Sequence, residues 1–559
     1  MNFQNRHRVI RTAAGLFVLT AVSFMVTGYR YGIDDHIVHI PRLLHILDPG
    51  LYAPDDPFIL AQRAHYSYFW HGVAVFARFL PLEGLFFILT FLLRFILAIT
   101  VWRLSYRLFQ HEGAAWLGTA ALLVDKLTFG FFVQPDKSLL DRTAALPLVL
   151  FGLEQLLAGR RLLPYVVTGL VVNIHVLSAL YTLPLLVVGD LYRDRMAGAA
   201  LWVLLRLGCV AVLGLPIWWW RWHAPNGLSL LVVDPEWLAI AKAAIVTLLN
   251  LVVLNGPHLA AILSGLGFIA AFFVAQRALK DEWPHNVVRL WIVTAAALVM
   301  AAAVFTDFVP VGAVVMTQLV RVSYWLVLFP VLYFAHYLCR LFEEKRISLG
   351  AFLINCAVLV CSVFSFLPLI ALAPSFLSSR LPWWAKGGAR TGAQVAALAL
   401  AGFYLFLKLQ VWPYLFLAPT GDWKDVETWV RQNTDKQAVV LVPPYVSGGD
   451  FGSEFRVEAQ RSVVVTYAEG GEVGFNQDFA RAWFERMSAL TNKTFSVMDP
   501  FENTRDSMKR GFDSLTDAQL SELAQRYRTS YVLVEAPRQL ELPISFRNRT
   551  FTLYRVPPP

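Results

Sequence analysis

Apolar runs of about 20 residues, each long enough to cross a hydrocarbon core of about 30 Å as a helix, recur from Val9 to about Pro419. No other feature constrains the fold as tightly, because inside a bilayer each backbone polar group must be satisfied within a helix or a closed barrel. The runs lie near 9–28, 82–102, 113–133, 139–158, 162–190, 198–220, 236–254, 258–278, 287–306, 312–339, 347–372 and 392–418. The run at 162–190 is too long for one simple span and contains Pro164, Asn173, His175 and Pro184. It reads either as two short spans or as one broken helix, since polar groups at that depth need a protein interior or a cavity. About 11–13 spans result.

After Pro419 the composition turns polar and the pattern changes. DWKDVETWVRQN has helical periodicity and precedes the short apolar stretch AVVLVPP; TDAQLSELAQRYR precedes YVLVE, and FTLYRV closes the series. Helices alternating with short β-branched strands predict a small α/β domain. The expected fold class is therefore a polytopic α-helical membrane domain over 1–419 followed by a soluble α/β domain over 420–559.

Only 16% of the 559 residues are charged, against roughly a quarter in soluble domains. The net charge of +9 comes from Arg and Lys scattered between the runs, as cytoplasmic loops require. A nucleic-acid partner, which would need a basic stripe, is not expected. The four cysteines, Cys209, Cys339, Cys356 and Cys361, lie in or beside apolar runs without metal spacing and imply no disulfide framework. The basic start and apolar core of the N-terminus resemble a signal peptide, but the run is long and no small-x-small site follows, so it reads as an uncleaved first span.

Arg6, Arg8 and Arg11 precede the first run and an acidic stretch follows it, which places the N-terminus in the cytoplasm and the following loop outside. That loop, YGIDDHIVHIPRLLHILDPGLYAPDDP (31–57), is unusually rich in chemistry, with paired acids at Asp34/Asp35 and Asp55/Asp56 and histidines at 36, 39 and 45. HIVHIPRLLHIL is expected to be a short interfacial helix, and YSYFWHGVAVFARFL (66–80) a second one. A second charged outer loop, VQPDKSLLDRT, faces the first and carries Asp136, Lys137, Asp141 and Arg142. The side on which the C-terminal domain lies depends on whether the span count is odd or even, and charge bias divides on the question.

These features, in this order, resemble the GT-C glycosyltransferases, the group that includes oligosaccharyltransferase catalytic subunits and protein mannosyltransferases. The matching stretches are YGIDDH after the first span, QPDKSLLDR between two short spans, NIHVLSALYTLP in a membrane run and DWKDVETWVRQNTDKQAVVLVPP opening the soluble domain. The resemblance implies an integral protein of the bacterial inner membrane that moves a sugar, with inversion, from a polyprenyl-phosphate-linked donor to a glycan, lipid or protein acceptor. It also implies a divalent metal, Mg or Mn, and catalytic outer loops near 29–70 and 126–142. The C-terminal domain lacks a WWDYG-type sequence, which argues against peptide-sequon recognition in the oligosaccharyltransferase manner.

Such chemistry needs a carboxylate to activate the acceptor or hold a metal, and cations to stabilise the departing phosphate. Asp34 and Asp35 are the candidate catalytic carboxylates, with Asp34 preferred; the competing reading makes the pair a cap for the helix starting at His36. Asp136 and Asp141, with Asp34, are candidate metal ligands, and Lys137, Arg142, Arg321, His175 and His36 candidate phosphate contacts. His36 and His39 rank below the carboxylates as metal ligands. The competing reading of Asp136, Lys137, Asp141 and Arg142, and the commoner one for such a loop, is a solvated ion-pair cluster. Arg321, inside an apolar run, reads either as a phosphate ligand or as a snorkelling side chain, and His175 either as a site residue or as a helix-packing partner. The alternative function is a non-catalytic or transporting member of the same fold group in envelope polysaccharide assembly.

Overall fold

A computed structural model describes residues 3–32, 35–193, 199–223, 231–252, 256–363, scattered positions between 392 and 406, 421–445 and 455–557. Among these, six helices are long and apolar enough to cross a membrane: His7–Thr27, Leu82–Phe109, Val176–Arg193, His258–Gln276, Trp283–Phe308 and Leu319–Glu343. A helix pair, Ala200–Leu213 and Leu215–His223, bent by 60°, meets the same test of length and apolarity when its two halves are taken together. Of the 347–372 run the described part is the helix Leu349–Cys361, and most of the 392–418 run lies outside the described residues. The 113–133 run is a helix, Glu112–Leu122, followed by a hairpin of β1 (Lys126–Thr128) and β2 (Phe132–Gln134), because the Asp125–Lys126 pair interrupts it. The 139–158 run is the Asp141–Leu157 helix, and the 236–254 run divides into Pro235–Ala244 and Val246–Leu249.

The 162–190 run divides into two helices, Leu163–Val172 and Val176–Arg193, and its polar residues explain the break between them. The Asn173 side-chain amide donates to Leu213 O at 2.9 Å and so satisfies a carbonyl at the neighbouring bend, where Pro216 offers no N–H. The carbonyls of Asn173 and Ile174 accept from Tyr68 N at 3.0 Å and Ser67 Oγ at 2.6 Å. The break is thus a socket for the end of the first outer loop.

The C-terminal part is a five-stranded mixed sheet in the order β4-β3-β5-β7-β6, with β3 Val439–Leu441, β4 Ser462–Val463, β5 Tyr531–Glu535, β6 Ile544–Arg547 and β7 Phe551–Arg555. β3 runs parallel to β4 and β5, while β7 is antiparallel to β5 and β6. The α/β pattern expected for this domain holds, with β4 and β6 as strands too short and too polar to stand out in the sequence.

This domain packs directly on the first outer loop. The loop helix, His36–Leu47, buries Val38, Ile40, Leu43 and Leu44 in one core with residues of the C-terminal domain such as Val464, Phe479 and Trp483. The helix is therefore covered by protein and does not lie on a lipid surface. Tyr52 OH donates to Arg456 O at 2.9 Å, Ser462 Oγ accepts from Ala53 N at 2.8 Å, and Trp237 Nε1 donates to Val473 O at 2.8 Å. At the centre Arg456, almost wholly buried, pairs with Asp56 of the loop and with Glu469 of its own domain, the latter at 2.5 Å. The domain and the first loop accordingly share one side of the bundle.

Candidate functional site

Loop, helix break and C-terminal domain enclose a cavity of about 420 Å³. It is lined by apolar residues, among them Leu177, Leu180, Ile217, Trp218 and Met316, and by Asp35, His39, His65, Asp141, Arg142, His175, Arg321 and Glu472. A small extension reaches Asp136, Tyr181 and Tyr324.

Asp35 precedes the loop helix, yet its side chain makes no capping bond. Its carboxylate instead accepts from Arg142 Nη2 at 2.6 Å. Arg142 also grips Asp136 bidentately, Nη2 to Oδ1 at 2.7 Å and Nε to Oδ2 at 2.9 Å. The two charged outer loops thus meet through one guanidinium, and the acids and bases of the second loop are not a solvated surface cluster. Enclosure would raise the Asp35 carboxyl, but Arg142 first, then His39 and Arg321, hold it down at about 2. It is ionised at any physiological pH. Asp34, preferred from sequence, lies outside the described residues.

The other sequence candidates divide. Arg321 lines the cavity and donates from Nε to Gln318 Oε1 at 2.6 Å, so it turns inward and does not snorkel to an interface. His175 stands at the helix break on the cavity wall, its Nδ1 accepting from Ser178 N at 3.1 Å, which leaves Nε2 to carry the proton of a neutral ring. Lys137 and His36 are not among the cavity-lining residues. Lys137 pairs with the buried Asp125 at 3.3 Å. His36 is fully buried, with its ring nitrogens 3.2 Å from Gly32 N and 3.0 Å from Leu139 N, and bridges the two outer loops. Burial lowers it to about 3, so it is a neutral strut and not a phosphate contact.

The metal set proposed from sequence also needs revision. Asp136 is engaged by Arg142, whereas Asp141 faces His65, with Nε2 and Oδ2 3.4 Å apart. Among the described residues the group whose ligand atoms lie within 4.8 Å of one another is His39, His65 and Asp141. His39 Nδ1 is buried with no hydrogen-bond partner, as a ring awaiting a ligand would be. Two imidazoles and a carboxylate suit a divalent ion, so the residues present fit one, though not the all-carboxylate set.

Sequence reasoning missed His65, Arg221 and Glu472 as cavity residues. Glu472 had one legible signal, an acid in the Gly-rich stretch AEGGEVGF. Its segment passes close to neighbours: a Cβ on Gly470 would lie 2.8 Å from Trp483 Cζ2 and 3.1 Å from Ala244 Cβ.

A family model described as a domain of unknown function, DUF6798, matches residues 421–490. No curated protein matches the chain. The chain is similar to the crystal structure of Archaeoglobus fulgidus oligosaccharyltransferase tethered to an acceptor peptide containing the NVT sequon, with TM-score 0.42 and 11% identity over 94% of this chain and 69% of that one. It is also similar to ArnT from Cupriavidus metallidurans in the apo state, with TM-score 0.45 and 12% identity over 98% of both chains.

Proposed function

We propose that this protein is a membrane glycosyltransferase that moves a sugar from a polyprenyl-phosphate-linked donor to an acceptor at the extracytoplasmic face, with inversion. The observation that carries this reading is the mixed lining of the cavity. Its apolar residues suit an isoprenoid chain, and its polar residues offer two guanidiniums and an ionised carboxylate to a phosphosugar. The soluble domain at 420–559 roofs the reaction chamber, and the membrane domain at 1–419 supplies its floor.

In this scheme the acceptor oxygen attacks the anomeric carbon as the bond to the phosphate oxygen breaks, and a single displacement inverts the centre. The phosphate leaves with the electron pair beside Arg321 and Arg142, which stabilise the developing charge. The acceptor proton passes to the carboxylate of Asp35 or its neighbour Asp34. A carboxylate held near 2 is a weak base, so it accepts the proton late, once the forming bond has acidified the acceptor oxygen. A divalent cation, when bound by His39, His65 and Asp141, would add positive charge to this polar lining.

The test is release of free polyprenyl phosphate and labelled product by the purified full-length protein in nanodiscs. Asp35→Asn is expected to lower turnover by about 10²–10⁴-fold, and Arg321→Met to lower it without changing protein yield. Full activity in both Asp34→Ala and Asp35→Ala would refute the role given to the pair. Flux of a glycolipid across the bilayer without chemical turnover would favour the transporting alternative.

A further inference from the structure

We propose that His39, His65 and Asp141 form a binding site for a first-row divalent transition metal ion, and that Glu472 of the C-terminal domain orients His65 for it. The site does not depend on the sugar-transfer reading.

Three observations support the site together. First, the ligand atoms already lie within 4.8 Å of one another, and the His65 Nε2 to Asp141 Oδ2 separation of 3.4 Å equals the edge of a tetrahedron with bonds of about 2.1 Å. Second, His39 is 5% exposed and its Nδ1 has no hydrogen-bond partner. An unpaired buried ring nitrogen is destabilising, and a metal bond to it removes that cost. The ring is stacked on Trp70 with centroids 4.8 Å apart, which limits its freedom to turn elsewhere. Third, the two nitrogens of His65 face different acids: Nε2 faces Asp141, and Nδ1 faces Glu472 Oε1 at 3.9 Å. At 3.9 Å Glu472 makes no hydrogen bond to the ring, but it is the carboxylate placed to take the Nδ1 proton when Nε2 binds a metal.

The donor set selects the ion. Imidazole suits ions such as Zn²⁺, whereas Mg²⁺ and Mn²⁺ prefer oxygen ligands and Mg²⁺ keeps its waters. Glu472 reaches the site because it ends the short helical segment Tyr467–Glu472, whose Glu469 is bound to Arg456, which in turn holds Asp56 of the first loop. Docking of the C-terminal domain therefore sets the orientation of a metal ligand.

The experiment is metal analysis of the untagged full-length protein in detergent, followed by calorimetric titration of the stripped protein with Zn²⁺, Mn²⁺, Co²⁺ and Mg²⁺. One equivalent of a transition ion is expected, with visible Co²⁺ bands that His65→Ala and Asp141→Asn abolish and His45→Ala leaves intact. Glu472→Gln is expected to weaken binding about 10–100-fold while retaining the bands. His39→Gln serves as a second ligand variant that preserves side-chain bulk against Trp70, and it too should abolish the bands. Stoichiometric binding of Mg²⁺ alone, no binding of any of the four ions, or Co²⁺ bands unchanged in His65→Ala would each overturn the proposal.

Discussion

At the scale of single residues the decisive unit is Arg142, one guanidinium shared by Asp35 and Asp136. Because Asp35 has a folded value near 2 and an ordinary value of 3.8, the folded state binds fewer protons there than the unfolded one. Its contribution to stability is complete above about pH 4 and is lost as pH falls toward 2. The thermal midpoint of Asp35→Asn should therefore differ from wild type by a constant offset between pH 5 and 7 and converge on it only below about pH 4. A convergence already visible at pH 6 would mean that the carboxylate is not held down by Arg142. The adjacency of Asp34 and Asp35 in YGIDDH was legible as chemistry. Which guanidinium would meet them was not, since Asp35 and Arg142 are separated by 107 positions in the chain.

At the scale of elements, the site depends on two breaks in membrane helices that satisfy one another. Asn173 closes the bend at Leu213, so Asn173→Ala should leave that carbonyl unpaired and destabilise the protein by about 1–3 kcal/mol, measured as a fall in the detergent unfolding midpoint. Nearby, Gly169 lets the Leu163–Val172 helix approach its neighbour: a Cβ there would lie 2.8 Å from Leu213 Cβ and 3.2 Å from Val210 Cα. Gly169→Ala should cost about 1–3 kcal/mol by overpacking, whereas Gly208→Ala, with open space around it, should be close to neutral. The sequence showed a polar interruption at 173–175 and left two readings of it. The partner that makes the break stable comes from the first outer loop and a different helix.

At the scale of the whole molecule, Arg456 joins the C-terminal domain to the membrane domain through Asp56. It is buried, its charge is favoured by Asp56 and Glu469 against the cost of burial, and it also donates to Val463 O at 2.8 Å. Arg456→Met removes one partner and strands two buried carboxylates, a change worth about 3–5 kcal/mol. The expected result is faster limited proteolysis between 364 and 455 with the membrane domain still folded, and weaker binding of a transition ion because Glu472 loses its support. Unchanged proteolysis would mean that the apolar core shared by the loop helix and residues such as Phe479 and Trp483 holds the domain without this pair.

The sequence by itself determined the class of solvent each segment meets. Long apolar runs, a polar C-terminal quarter of alternating helix and strand, and two charged loops between spans are local properties, readable because hydrophobic length and periodicity need no knowledge of neighbours. It also singled out Asp35, Arg142, Arg321 and His175 as candidates, which line one cavity, since charged or titratable groups in or beside apolar runs are costly and therefore conspicuous. Tertiary structure alone decided how they combine. It diverted Lys137 to Asp125 and His36 to the loop backbones, engaged Asp136 with Arg142, and gathered His39, His65 and Asp141 in their place. It also settled by direct packing that the C-terminal domain and the first loop lie on one side, where span counting could not. The physical reason is the same in each case: a side chain's partner is fixed by burial and distance in three dimensions, and those are set by packing between segments as far apart in the chain as Arg456 and Asp56, 400 positions.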